Sequence, residues 1–121
     1  MLAFEVAVAA ASGAVARYLI DRAVQQRHES VLPWGTFVVN VSGAFLLGLV
    51  TGLSLHHGLS HDNLEILGTG VLGGYTTWST FAWESFALTE QGVVRAAAVN
   101  VSGSIVTGLA AAAAGLGLAL I

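Results

Sequence analysis

A stretch in the middle of the chain combines residue types that seldom occur together inside a membrane-spanning helix. Residues 73–81 read GGYTTWSTF, with paired glycines, four Ser or Thr residues and aromatic side chains. Glycines and short hydroxyl residues weaken a regular helix, so this composition predicts a helix break. In hydrocarbon, a broken helix is tolerated only where protein surrounds it or where it lines a cavity. The stretch therefore predicts an ion or solute site.

Polar side chains in other apolar segments support a solute pathway. Asn40 lies in the early middle of the second apolar segment, where its amide would face lipid unless protein or water satisfied it. Thr36 lies one turn earlier, and Ser104 and Thr107 add hydroxyls to the fourth segment. A lone hydroxyl more often bonds its own backbone, so Asn40 is the stronger candidate. Donors without an intramembrane carboxylate suit an anion or a neutral solute.

Arg17 and the histidines allow two readings each. At the centre of a membrane, an arginine would cost roughly 2.5–3.5 kcal/mol. Arg17 lies about one turn from the end of the first apolar segment, so it either extends to the membrane surface or serves as a basic residue in a wet vestibule. His56, His57 and His61 could in principle bind a metal. Two of them are adjacent in sequence, which favours solvated loop residues.

Composition indicates a membrane protein. Of the 121 residues, 55% are hydrophobic and 9% are charged, whereas about a quarter of a soluble domain is charged. Lysine is absent and no basic run occurs, so nucleic acid is not an expected partner. Cysteine is also absent, which excludes disulfides and thiolate metal sites.

Four apolar segments are long enough to cross a bilayer, which takes about 20 residues. They are residues 2–20, 34–55, 64–88 and 93–121. We therefore predict an all-α membrane protein with one domain, residues 1–121, both termini on the same side, and a third helix broken at mid-membrane. The first segment has no basic stretch before it, which favours a retained helix over a cleaved signal. Pro33 predicts the start of the second helix and Gly92 the end of the third.

A four-helix unit of this size has little room for a pathway of its own, because its helices pack around their own side chains. We therefore expect an oligomer. Small residues recur at helical spacing in Gly48-x-x-x-Gly52 and Ser104-x-x-x-Gly108. Such pairs let helices approach closely, either within one subunit or between two.

Motifs in all four segments resemble the Fluc fluoride channels, also called CrcB proteins. The motifs are Gly13-x-x-x-Arg17, Gly35-Thr36-x-x-x-Asn40-x-x-Gly43-x-Phe45, the GGYTTWSTF stretch and Ser104-x-x-x-Gly108. The resemblance implies a channel rather than an enzyme. It further implies an antiparallel dimer in the cell (inner) membrane through which fluoride leaves the cell passively.

The resemblance also implies a role for each site residue. Main-chain carbonyls of Gly73 and Thr76, with the same pair from the partner, would hold a structural sodium ion, since carbonyl oxygens are hard ligands. Arg17 would lie in the vestibule. The fluoride pathway would comprise Asn40 as the pore asparagine, Trp78 and Phe81 in place of two phenylalanines whose ring edges face fluoride, Ser79 and Thr80 as a polar track, and Ser104 on the fourth helix.

Trp78 departs from the family pattern. Its indole N–H is a stronger donor than a ring C–H, but its bulk could narrow or close the path. Two rival functions are open on the residues alone. A small multidrug transporter would need a glutamate at mid-membrane, yet Glu5 and Glu84 lie near segment ends. A structural subunit without a pathway would use its polar residues only to join helices.

The arginines predict an orientation. Arg22, Arg27 and Arg95 all lie on one face of the membrane, and the opposite face has none. By the positive-inside rule, the termini should lie outside. A chain with this bias should pair with a homologous subunit of opposite orientation. A dual-topology homodimer is the alternative.

Overall fold

The computed structural model describes residues 1–121, and all of its regular elements are helical. They are α1 (Leu2–Gln25), α2 (Trp34–His56), α3 (His61–Leu64), a π-helix (Glu65–Leu72), α4 (Gly73–Tyr75), α5 (Ser79–Glu90) and α6 (Val94–Ala119). The predicted all-α architecture is confirmed.

Three helices, namely α1, α2 and α6, are long and apolar enough to cross a membrane without interruption. The remaining span comprises residues 61–90, whose helical course stops at residues 76–78 and resumes with α5. The fold is therefore that of a multi-pass membrane protein, and the predicted interruption of the third span is confirmed. We refer to residues 76–78 as the break.

The first predicted boundary was wrong. Residues 21–33 were expected to form a polar loop, but α1 continues to Gln25 and the connection covers only residues 26–33. Arg22, Ala23 and Gln25 are all good helix formers, so polarity marks the edge of the membrane here without ending the helix. Arg17 consequently lies more than two turns before the end of α1, not one.

The first half of the third span includes a π-helix that was not predicted. Residues 61–75 form one continuous helical segment, and its middle section, Glu65–Leu72, follows the wider π geometry. Wide turns of this kind are rare and often accompany functional sites. Here the π-helix leads directly into the glycines that precede the break.

The pair formed by α2 and α6, which we call the frame, is packed backbone against backbone. A β-carbon added at Gly48 would overlap the carbonyl oxygen of Ala112, and one added at Gly115 would overlap that of Phe45. The Gly48-x-x-x-Gly52 motif therefore serves packing within the subunit. In contrast, no atom lies within 4 Å of a β-carbon built on Gly108.

A similar close contact joins α1 to the third span. A β-carbon on Gly13 would overlap the carbonyl oxygen of Val71, and one on Gly74 would overlap that of Ala10. Because these contacts leave no room for a side chain, α1 holds the segment just before the break at a fixed distance. The break is thus positioned by α1 on one side and by α2, through Gly43 and Asn40, on the other.

The two ends of the bundle differ in composition. His57 Nε2 donates to the carbonyl oxygen of Ala119 at 2.6 Å, so the end of α6 lies beside the loop that follows α2. Both termini lie at this end. Arg22, Arg27 and Arg95 lie at the opposite end, beside the start of α2, where Asp21 contacts Gly35. The arginines therefore occupy one end of the molecule, as predicted.

Candidate functional site

The break begins at a single change of backbone conformation. Thr76 has φ −81° and ψ 161°, which is extended, whereas the residues of α4 before it are helical. Regular helix resumes at Ser79. The amide and carbonyl groups between these points have lost their helical partners and must find others.

Asn40 supplies two of those partners. Its Nδ2 donates to the carbonyl oxygen of Thr77, and its Oδ1 accepts from the amide nitrogen of Thr77, both at 2.8 Å. One carboxamide thus replaces both missing backbone contacts of Thr77. Since Thr77 offers one donor and one acceptor, the pairing also fixes which way the amide faces. The second N–H of Nδ2 has no protein acceptor.

The side chain of Thr77 completes the start of α5. Its Oγ1 accepts from the amide nitrogen of Thr80 at 3.2 Å and donates to Thr80 Oγ1 at 3.1 Å. A hydroxyl that accepts from an amide in the first turn is the usual way to cap a helix. Sequence reasoning assigned Thr77 no role, although it joins the break to α2 through Asn40 and to the start of α5 through Thr80.

These contacts leave two carbonyl oxygens without their helical donors. In an unbroken helix, the Thr77 amide would donate to Gly73 and the Thr80 amide to Thr76. Here the first donates to Asn40 and the second to Thr77 Oγ1. Arg17 Nη1 reaches the Thr76 oxygen at 3.5 Å, so the guanidinium is directed toward the break. Both carbonyls are hard oxygen ligands of the kind that suits a sodium ion. The Gly73 oxygen lacks its helical donor, whereas the Thr76 oxygen accepts from Arg17.

Most of the predicted site residues share one open groove of about 520 Å³. It runs between α2, α6 and the two halves of the third span. The predicted residues that line it are Asn40, Gly73, Thr76, Trp78, Phe81 and Ser104. Residues from separate spans, distant in sequence, are therefore brought to one surface.

Arg17, Ser79 and Thr80 lie outside the groove. Arg17 and Thr80 line a smaller cavity of about 140 Å³ together with Thr36 and Thr77. Ser79 is exposed, and its Oγ lies 3.5 Å from Thr77 Oγ1. Thr77 lines both cavities, so the break forms the wall between them.

The two aromatic residues after the break differ sharply in burial. Phe81 is 6% exposed, whereas Trp78 is 73% exposed, although their ring centroids lie 5.1 Å apart. The Trp78 indole therefore projects from the rim of the groove into the space beside the subunit. Its bulk does not fill the groove of its own chain.

Glu84 lies near the arginine-rich end of the molecule. Thr36 Oγ1 donates to Glu84 Oε1 at 2.5 Å, and Thr36 is in the first turn of α2. The glutamate is therefore near a membrane surface rather than at mid-membrane. This location does not suit the proton-coupled carboxylate that a small multidrug transporter requires.

Two further polar contacts were missed by sequence reasoning. Asn100 Nδ2 donates to Ser85 Oγ at 2.9 Å within the protein interior, and Tyr75 OH lies 2.9 Å from Ser42 Oγ in the core. An asparagine within an apolar span needs a polar partner, so the sequence signal at position 100 is the same as at position 40. Every fully buried side-chain polar atom has a hydrogen-bond partner.

Together the fold and the site define a small helical membrane protein in which an interrupted span lines a groove, an architecture that serves membrane transport. A family model described as CrcB-like protein, Camphor Resistance (CrcB), matches residues 4–116. The chain belongs to this family, as the resemblance implied. This family is distinct from the small multidrug transporters.

Relatives support the same assignment. The chain is 47% identical over 115 residues to the fluoride-specific ion channel FluC 1 of Frankia casuarinae. The aligned region covers 91% of this chain and 89% of the relative. It is 50% identical over 105 residues to FluC 1 of Streptomyces avermitilis, with 86% and 84% covered. The fluoride-specific ion channel FluC of Geobacter sulfurreducens is 43% identical over 112 residues, with 92% and 90% covered.

Proposed function

We propose that this chain is one subunit of a fluoride-selective channel of the cell (inner) membrane, through which fluoride leaves the cytoplasm passively. The groove beside the break carries this proposal. Asn40, Phe81 and Ser104 come from separate helices and line the same groove. The names of the relatives indicate fluoride as the transported ion, and the residues that line the groove have chemistry that suits this ion.

Fluoride is small and strongly hydrated, so a selective path must replace its water with closely placed donors. Asn40 retains a free amide N–H that its contacts with Thr77 hold in a fixed direction. Ser104 can donate a hydroxyl hydrogen, and the ring edge of Phe81 carries partial positive charge. These donors would define the fluoride path, with Ser79, Thr80 and Arg17 in the approach to it.

Selectivity tests this function. Purified protein in liposomes loaded with potassium fluoride should release fluoride to an ion-selective electrode once a potassium ionophore is added. Liposomes loaded with potassium chloride provide the matched control, because the larger anion should not fit between the same groups. Equal release of both anions would refute the proposed selectivity, and release of neither from an assembled dimer, of this chain alone or with its homologous partner, would refute a channel.

The functional unit of this proposal is an antiparallel dimer. The groove is open, and its α6 side carries exposed apolar residues, Ile105 and Leu109, next to the unoccupied space at Gly108. A second subunit would cover this surface and form the missing wall of the fluoride path. The projecting Trp78 would then contact the partner or lie at the entrance.

The arginines favour a partner that is homologous but inserted in the opposite orientation, with the termini of this chain outside. A dual-topology homodimer is the alternative. Because the chain has no cysteine, a single cysteine at Asp62, which is exposed beside the loop after α2, can report orientation by labelling from either side. Labelling from one side only supports the heterodimer, and equal labelling from both sides supports the homodimer.

A structural sodium ion completes the proposal. The carbonyls of Gly73 and Thr76 would hold it together with the same pair from the partner, and its charge would favour anions nearby. Replacing sodium by N-methylglucamine should lower the thermal stability of the purified dimer. Thr76→Ser should keep this sodium dependence because the ligand is a main-chain oxygen. Equal stability in both cations would argue against the ion.

A further inference from the structure

A buried hydrogen-bond chain joins α6 to α5. Asn100 Nδ2 donates to Ser85 Oγ at 2.9 Å, and Ser85 Oγ donates to the carbonyl oxygen of Phe81 at 2.9 Å. Asn100 is 6% exposed and Ser85 9%, so neither has free access to water. A carboxamide in such surroundings is costly without a partner. The contact therefore resists any sliding of one helix along the other.

The spacing of these residues relates the contact to the groove. Phe81 precedes Ser85 by one turn on α5, and Ser104 follows Asn100 by one turn on α6. Phe81 and Ser104 both line the groove. The pairing of Asn100 with Ser85 thus sets how far the phenylalanine ring lies from the serine hydroxyl.

The other buried side chains between α5 and α6 are apolar. The remaining buried residues on the facing surfaces are Leu88 and Ala97, which pack without directional bonds. Beside them, a β-carbon on Gly103 would meet nothing within 4 Å. The turn at residues 91–93 joins one end of α5 to α6, with the Val93 amide donating to the Leu88 carbonyl at 2.9 Å. Nearer the break, the two helices are joined by the Asn100–Ser85 hydrogen bond.

We propose that Asn100 is a positioning residue, which sets the alignment of α5 on α6 and thereby the separation of Phe81 and Ser104. The effect of this alignment on transport rests on the proposed fluoride function. The alignment itself does not, since it follows from the contacts of one subunit.

The alignment can be measured directly. With no native cysteine, spin labels can be attached at Phe86 on α5 and Val101 on α6, both of which are exposed. Doubly labelled subunits diluted with unlabelled ones should give one narrow distance distribution. Ser85→Ala and Asn100→Leu should broaden it or shift it by up to about one helical turn, 5.4 Å. A distribution that neither variant changes would overturn the proposal.

Flux provides the second readout. In assembled dimers, Ser85→Ala should lower fluoride release about tenfold and weaken the preference over chloride, as expected for one lost buried hydrogen bond. Exchanging the two residues, Ser85→Asn with Asn100→Ser, should restore both properties. Ser102→Ala is the matched control, because that exposed hydroxyl bonds only the Ala98 carbonyl of its own helix.

The outcomes separate the two proposals. Absence of fluoride release from an assembled native dimer, with or without the homologous partner, would refute the proposed function, while the distance measurement would still decide the alignment. If Asn100→Leu fails to assemble, Ser85→Ala and the exchanged pair supply the result. Normal flux and selectivity in an assembled Ser85→Ala dimer would overturn the role of the contact in transport.

Discussion

The frame and the break are stabilised in opposite ways. No side-chain hydrogen bond joins α2 to α6, and glycines at positions 48 and 115 bring one backbone onto the other. The break relies on side-chain hydrogen bonds, chiefly from Asn40 and Thr77. Both regions lie in the same bundle, so the difference reflects their backbones rather than their surroundings.

The physical reason is the state of the backbone. An intact helix satisfies its own amides and carbonyls, so two such helices in lipid gain most from close van der Waals contact. A broken helix has backbone amides and carbonyls without hydrogen-bond partners, and apolar packing cannot provide those partners. The frame should therefore be sensitive to volume, and the break should be sensitive to hydrogen-bonding capacity at constant volume.

The largest effect is expected from added volume in the frame. Gly115→Val would place side-chain atoms on the Phe45 carbonyl, and a backbone atom cannot move aside. We expect a loss of about 3 kcal/mol or more, seen as loss of a monodisperse dimer in size-exclusion chromatography. Gly117→Val is the control, since open space surrounds that position. Similar yields of both variants would contradict the account of the frame.

The second largest effect is expected at the break, from a substitution that changes the type of a single side-chain atom. Asn40→Asp keeps the volume but turns a carboxylate oxygen toward the Thr77 carbonyl, which removes a donor. We expect fluoride release to fall about a hundredfold, corresponding to roughly 2–3 kcal/mol. The same substitution at Asn63, which is exposed on α3, should leave release unchanged. Native flux in Asn40→Asp would show that the break does not depend on this amide.

Trp78 tests whether the rim of the groove limits flow. Trp78→Phe restores the aromatic residue of the family pattern and reduces the projecting bulk, so fluoride release should rise roughly threefold. Trp83→Phe provides the matched control. Like Trp78, Trp83 is exposed, but it lies on α5 and does not line the groove. A fall in release would instead indicate that the indole N–H assists the anion.

The smallest effect is expected at the histidine loop. His57→Ala removes the bond to the Ala119 carbonyl at the end of α6. The cost should be about 0.5–1 kcal/mol in thermal stability, with unchanged fluoride release because the contact lies far from the groove. His56→Ala should cost less, because His56 makes no hydrogen bond with α6. A large loss of flux in His57→Ala would connect this loop to the pathway.

The features predictable from sequence were local ones. The four apolar segments follow from composition over about 20 residues, and the break follows from the glycines and hydroxyls of one short stretch. The end of α1 lies five residues beyond the predicted apolar segment, because Arg22, Ala23 and Gln25 favour helix even though the sequence becomes polar there. The π-helix had no recognisable pattern.

The contacts that define the site were not predictable in the same way. Asn40 and Thr77 are 37 residues apart, and nothing in either neighbourhood specifies the other. The resemblance assigned Asn40 to the pathway, but its pairing with Thr77 required the fold. Asn100 lies outside the motifs that carry the resemblance, so they assigned it no role.

The break also sets the rotation of α5 about its own axis. Since each helical residue turns the chain by about 100°, one residue added to or removed from positions 76–78 would rotate all of α5 by that angle. Phe81 would leave its buried site, and Ser85 would no longer face Asn100. Residue types in this segment can therefore change through evolution much more readily than its length.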